Sequence, residues 1–216
     1  MIATTMMAMK HLGDYVRSQD RQSWKQCKGV IRFKGSKVLS VGMGAIGTSF
    51  LQKAYALGAE CYGVRRTVHD KPDFVKELVS IDDIDRLLPD MDVVGLSLPG
   101  TEEVNGLFDE RRLRLLKDTA ILLNVGRGNA IVTDDLIKVM NEGLLRAAWL
   151  DVTDPEPLPE GHPLWKTGRV FITPHISGGF KEGVNYNVVM DVVFKNLSLI
   201  LEGKEPVHIV DRKLGY

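Results

Sequence analysis

The sequence predicts an α/β fold: a doubly wound parallel sheet with helices on both faces, three layers in all. Three observations carry this expectation. Short apolar runs at residues 38–41, 60–64, 93–98, 120–124, 147–150 and 170–173 are continuous rather than alternating, as strands buried on both faces require. Segments of helical periodicity lie between them. Thr101, Arg127, Asp151 and His175 fall just past the carboxyl ends of strands, the edge where an open α/β sheet binds ligands.

The first of these units sets the rest. Residues 37–67 read strand, Gly42-x-Gly44-x-x-Gly47, helix, strand, the context that distinguishes a dinucleotide fingerprint from chance loop glycines. Gly42 permits the tight turn, Gly44 lets a pyrophosphate approach the backbone, and Gly47 lets the helix lie close to the strand. The amides around Ala45 and Ile46 present unpaired N–H groups and the positive dipole end to phosphate. A Rossmann-like domain follows. At the end of its second strand, where an NAD site places an acid, stand Arg65, Arg66 and Thr67, and the first acid after them is Asp70. Two guanidiniums and a hydroxyl suit a 2′-phosphate, so NADP is the preferred cofactor and NAD the other candidate. The bland alternative for this turn is a solvated loop.

Elsewhere the elements are read in order. Residues 3–19 predict one amphipathic helix capped by Thr4 or Thr5, its Met-rich stripe either packing on its own domain or forming a subunit interface. Residues 18–36 are polar and irregular, anchored by Trp24. Residues 72–79 predict a short helical piece leading into a brief third strand, and Ser80 caps a helix through Leu88. Helices follow at 109–116 and from Thr133 to a stop near Gly143, then a Pro-rich loop, a last helix at about 182–201 and an extended tail at 206–216. The domain expectation is a helix and arm at 1–25, a dinucleotide-binding domain at 26–180, and a C-terminal helix and tail at 181–216.

Composition narrows the partners. At 44% hydrophobic with 28 basic and 28 acidic residues, the chain has no net charge to draw nucleic acid or an anionic membrane. Cys27 and Cys61 lack C-x-x-C spacing, which fits a reducing compartment without a structural metal. No apolar run reaches the ~18 residues of a membrane span, and no basic stretch precedes the N-terminal apolar residues as in a signal peptide. The cytoplasm is the expected location.

The strand-end residues suggest hydride transfer to a carbonyl beside a carboxylate. Arg127 offers a planar fork for the carboxylate. His175, the only one of five histidines at a strand end, can protonate the oxygen as hydride arrives, and Glu156 can orient the imidazole and favour its charged form. The alternatives are a surface charge, a satisfied core histidine and a solvated loop acid. Trp165 is close to His175 in sequence, with core packing the expected use.

The stretches GMGAIG, NVGRGNAIVTDDL, AAWLDVTDPEPLPEGHPLW and VFITPHISGG, in this order, resemble the D-isomer-specific 2-hydroxyacid dehydrogenases, in particular the glyoxylate/hydroxypyruvate reductase branch. The resemblance covers roughly residues 24–180, and the last helix and the VDRKLGY tail are also similar. It implies that Arg127 binds substrate, that Glu156 and His175 are the family's acid–histidine pair, and that Asp151 bonds the nicotinamide carboxamide. Val125 and Gly126 are then expected along the nicotinamide, and Pro99 in the cofactor-lining set. It also implies a small 2-oxo or 2-hydroxy acid substrate and a homodimer. Family members carry a substrate domain of about a hundred residues ahead of the fingerprint, whereas this sequence starts at the helix just after it. Cofactor binding is therefore the firmer expectation. A non-catalytic dinucleotide- or partner-binding module is the alternative.

Overall fold

In the computed structural model, which describes residues 1–68, 70–178, 183 and 185–212, the chain divides into two units, Met1–Pro174 and His175–Tyr216. The first is built on a seven-stranded sheet, order β3-β2-β1-β4-β5-β6-β7. Its strands are β1 Lys37–Val41, β2 Glu60–Val64, β3 Val75–Val79, β4 Val93–Leu96, β5 Ile121–Asn124, β6 Ala147–Leu150 and β7 Val170–Ile172. Every pairing is parallel. All seven carboxyl ends therefore share one edge, and the order reverses between β1 and β4, where such sheets bind ligands.

Successive strand residues face opposite sides, so one strand feeds two cores. Leu39, Val94 and Leu122 join the cluster under α4 (Ile84–Leu87), α5 (Glu110–Leu113) and α6 (Thr133–Asn141). Val38, Val93, Ile121 and Leu123 join the other, with Met9 of α1 (Ile2–Met9) and Phe50, Leu51 and Ala54 of α3 (Ala45–Ala56). α3 stops where expected, with Gly58 at φ +85 just beyond its C-cap.

Several expectations need correction. The single helix at 3–19 is two, α1 and α2 (Leu12–Asp20), broken by Lys10 and by His11 at φ 57. Tertiary contacts of His11 override the periodicity: its ring nitrogens lie 3.2 Å from Asp14 Oδ2 and 3.0 Å from the Lys28 carbonyl. Thr4 and Thr5 do not cap α1; both hydroxyls donate to the Met1 carbonyl, at 2.8 and 2.9 Å. Met9 and Ala8 are buried on their own sheet, so for α1 the core-packing alternative holds. Trp24 is no anchor among the described residues, being 99% exposed.

Residues 73–74 form a turn rather than the expected helical piece, because Val75, Leu78 and Val79 bury against β2 and draw the segment into the sheet. The helix at 80–88 is a 3₁₀ turn, the single-turn α4 and a second 3₁₀ turn; Ser80 Oγ donates to Asp83 Oδ2 rather than capping the backbone. α5 is shorter than expected, capped by Asp109 Oδ1 accepting from Arg112 N at 2.9 Å. Thr133 is the first residue of α6, with Val132 its N-cap.

The second unit contains α7 (Tyr186–Leu201), which exposes Val188, Phe194 and Leu201. The Asn196 side chain fastens the chain after it, donating to the Val207 carbonyl and accepting from its N–H. Residues 182 and 184, expected in the start of this helix, and the tail end 213–216 lie outside the described residues. Among the described residues no helix is long and apolar enough to cross a membrane.

One ion-pair cluster ties α4 to α5: Asp85 accepts from Arg111 Nη1 at 2.5 Å and Arg112 Nε at 2.8 Å. Burial alone would raise the Asp85 carboxyl, but hydrogen bonds and charge from the two arginines outweigh it and hold it below the usual carboxylate range. A depressed folded-state value means that this stabilisation is whole above about pH 4 and lost as pH falls through the depressed value. Asp85→Asn should lower the urea midpoint at neutral pH, and the gap from wild type should close as the medium is acidified.

Candidate functional site

The site begins at the end of β1. Gly42 turns the chain at φ +96, and a Cβ there would stand 2.6 Å from the Ser97 carbonyl oxygen. The Gly42 carbonyl accepts from Ser40 Oγ at 2.9 Å and Ser97 Oγ at 3.0 Å, so β1 and β4 both pin the turn. A Cβ on Gly47 would run into the Gly42 carbonyl, so only glycine lets α3 start this close to the sheet.

α3 then opens at Ala45 with Gly44 as N-cap and no side chain capping it. Gly44, Ala45 and Ile46 are exposed, and a Cβ on Gly44 would meet nothing within 4 Å. An uncapped, exposed helix start with a clear approach fits a pyrophosphate: N–H groups await an acceptor and the helix dipole favours anions.

At the end of β2, Arg65 is half-buried and its N–H donates to the Val79 carbonyl at 3.0 Å; Arg66 and Thr67 are exposed. Arg66 Nη2 pairs with Glu103 Oε1 at 2.5 Å. Glu103 lies in the 3₁₀ turn Glu102–Val104 beyond β4, and sequence reading missed it.

The β4 and β5 ends interlock. Gly126 lies so close to Leu98 that a Cβ would be 2.7 Å from both its backbone N and O, and a Cβ on Gly100 would be 3.2 Å from Arg127 Cγ. Pro99, Val125, Gly126 and Arg127 thus form one corner. Its clamp is Asn124, fully buried, whose Oδ1 accepts from Gly126 N at 3.0 Å while Nδ2 donates to the Arg127 carbonyl at 2.8 Å. Arg127 is exposed, with Nη1 donating to the Gly126 carbonyl at 2.8 Å. The polar Asn at the strand end was the available signal for this clamp.

Asp151, at the end of β6, is 3% exposed and accepts from Thr173 Oγ1 at 2.5 Å. Beyond it Gly128 packs on the Thr153 carbonyl, and Thr133 Oγ1 donates to the Asp154 carbonyl at 2.9 Å. The loop bearing Glu156 is thereby strapped to the Arg127 turn and the start of α6. Glu156 itself is exposed, between the cis peptides Asp154–Pro155 and Glu156–Pro157. Trp165 is not core: it is 51% exposed, with Nε1 donating to the Pro159 carbonyl.

Every expected cofactor-lining residue therefore lies along one edge of the first unit, with Arg127 and the Glu156 loop beside it. His175, exposed and at φ 53, is the first residue of the second unit. The arrangement above thus includes Arg127 and Glu156 but not the histidine.

Comparison with known proteins adds a family match, two relatives and a solved structure. Residues 2–177 match the family described as D-isomer specific 2-hydroxyacid dehydrogenase, NAD binding domain. The chain is 32% identical over 188 residues to a glyoxylate reductase of Thermofilum pendens, covering 84% of this chain and 53% of that protein. It is 32% identical over 202 residues to a hydroxypyruvate reductase of Blautia hydrogenotrophica, covering 94% and 61%. The chain thus spans little more than half the length of these relatives. Among solved structures, a probable 2-hydroxyacid dehydrogenase from Rhizobium etli, in complex with NADP, HEPES and L(+)-tartaric acid, superposes with a TM-score of 0.87. Its sequence is 26% identical, and the match covers 100% of this chain and 67% of that one.

The two outer roles of the glycine turn are separable. Gly44→Ala should leave the urea midpoint unchanged and weaken dinucleotide binding in a fluorescence titration. Gly42→Ala should lower the urea midpoint as well, by about 1–3 kcal/mol of stability.

Proposed function

We infer the function from one premise: the chain belongs to the D-isomer specific 2-hydroxyacid dehydrogenase family, with its NAD-binding domain at residues 2–177. The function best supported is reduction of a small 2-oxo acid, such as glyoxylate or hydroxypyruvate, by NADPH in preference to NADH. The observation that carries it is the exposed, uncapped start of α3, followed one strand later by Arg65 and Arg66. The names of the two relatives support the substrate class, and the NADP in the Rhizobium etli structure supports the phosphate preference.

When bound, the reduced nicotinamide supplies a hydride equivalent. The chain's own residues do the rest. The amides from Gly44 to Ile46 hold the pyrophosphate. Arg65, Arg66 and Thr67 take the 2′-phosphate, Arg66 exchanging or sharing Glu103 as its partner. Pro99, Val125 and Gly126 line the nicotinamide, and buried Asp151, oriented by Thr173, accepts from its carboxamide. Arg127 takes the substrate carboxylate in a two-pronged hydrogen bond. His175, as imidazolium, donates its proton to the oxo oxygen while carbon gains the hydride, so the product is the neutral hydroxyl. Glu156 holds the ring and favours its charged form. The same reading includes a cytoplasmic homodimer, with exposed Leu12, Val16 and Trp24 offered for pairing.

Mixing the chain with NADPH and glyoxylate should consume NADPH, and His175→Ala should cut kcat by about 10²–10⁴-fold. Binding of NADPH without turnover would leave a dinucleotide-binding module, and a loss under tenfold would remove His175 from the proton-transfer role. Arg65→Ala should raise the Kd for NADPH far more than that for NADH; equal weakening would show that this turn does not read the 2′-phosphate.

A further inference from the structure

We propose that His11, Asp14 and Cys27 form a binding site for a thiophilic divalent metal ion such as Zn²⁺, remote in chemistry from the dinucleotide edge. One ligand atom from each of these side chains lies within 4.8 Å of the others. The site joins the start of α2 to the arm that leads from α2 into the sheet.

The ligand set is the first argument. An imidazole, a carboxylate and a thiol together suit a borderline-soft ion, not Mg²⁺ or Ca²⁺, which take oxygen. A four-coordinate zinc with bonds of about 2.0–2.3 Å has ligand–ligand edges of about 3.3–3.6 Å. His11 Nδ1 and Asp14 Oδ2 are already 3.2 Å apart, so closing the set asks for a movement of about an ångström by the thiol. All three side chains are only partly buried, which leaves the fourth position to water.

The surroundings are the second argument. His11 Nε2 lies 3.0 Å from the Lys28 carbonyl. With Nδ1 given to the metal, Nε2 carries the ring hydrogen and donates it to that carbonyl, the outer contact that orients most metal-bound histidines. Tyr15 OH accepts from Cys27 N at 3.0 Å. Residues 14 and 15 thus face residues 27 and 28 as two adjacent pairs, each supplying one ligand and one support. His11 is held for this role at φ 57, a conformation uncommon outside glycine.

Arg146 competes with the Lys28 carbonyl for the same ring nitrogen. It is 8% exposed, and its Nη2 lies 2.7 Å from His11 Nε2 and 3.4 Å from the Met9 carbonyl. Without metal, the two ring nitrogens of His11 bridge Asp14 and Arg146, and an Arg146 N–H that donates to Nε2 leaves the ring hydrogen on Nδ1 toward Asp14. One ring nitrogen cannot accept from Arg146 and donate to Lys28 together, so metal at Nδ1 selects the Lys28 contact and leaves Arg146 the Met9 carbonyl. The carboxylate of Asp14 and the thiolate of Cys27 together balance the two positive charges of the ion.

Cobalt(II) added to the full chain tests this, because a thiolate ligand gives Co²⁺ a charge-transfer absorption that oxygen and nitrogen ligands do not. A single equivalent should produce that band, and Zn²⁺ should abolish it by displacement. Cys61→Ser should keep the band, since burial pushes the Cys61 thiol up to about 11 and out of competition. Cys27→Ser should lose it while binding NADPH as wild type does, and His11→Gln and Asp14→Asn should each weaken Co²⁺ by about tenfold or more. No band at stoichiometric Co²⁺, or a band that survives Cys27→Ser, overturns the site.

Discussion

The close approach of α3 to the sheet is the constraint on which the rest of the dinucleotide edge depends. Two hydroxyls, Ser40 and Ser97, converge on the Gly42 carbonyl, while Gly47 brings no Cβ into the same space. The turn is therefore held by a strand on each side of the point where the sheet order reverses. What it holds in place is a set of helix-start amides without a side-chain cap. Leaving donors unmet is costly inside a protein and cheap at its surface, so the exposure of Gly44 to Ile46 lets the fold keep them for an anion.

The neighbouring loops gain their order from one another. Buried Asn124 fixes both sides of the turn that carries Arg127, and Gly128 lets that turn rest on the Thr153 carbonyl. The Arg127 and Glu156 loops are thus one packed body, although their charged side chains are exposed. This division is what a binding edge needs: buried amides and hydroxyls set the geometry, and exposed charges remain available.

Much of this was legible in the sequence because it rests on local pattern. Apolar runs at 38–41 and 121–124 are strands since nothing else buries on both sides, and the glycine spacing at 42, 44 and 47 has few other uses. The missed caps at Thr4, Thr5 and Ser80 are local side-chain choices, but the larger failures share a physical cause in contacts between residues distant in the chain. Helical periodicity runs through Lys10 and His11, but Arg146, 135 residues on, holds the His11 ring and breaks the helix. Residues 75–79 carry a pattern that fits helix or strand until the edge of β2 claims them. Glu103 is 37 residues from Arg66, and no local motif announces it. The histidine at 175 was singled out by its place after a strand and by the motif that contains it, both of them statements about chain order.

The Arg66–Glu103 pair has a consequence for cofactor choice. Families of this fold usually set preference by the residue closing the second strand, yet here the acid comes from a turn beyond β4. A phosphate arriving at Arg66 meets a cation that already has a counter-ion. Its net attraction is the difference between two charge-assisted contacts, a smaller quantity than either alone. Under the proposed reading of this corner, any discrimination there is shared between two loops on opposite sides of β1.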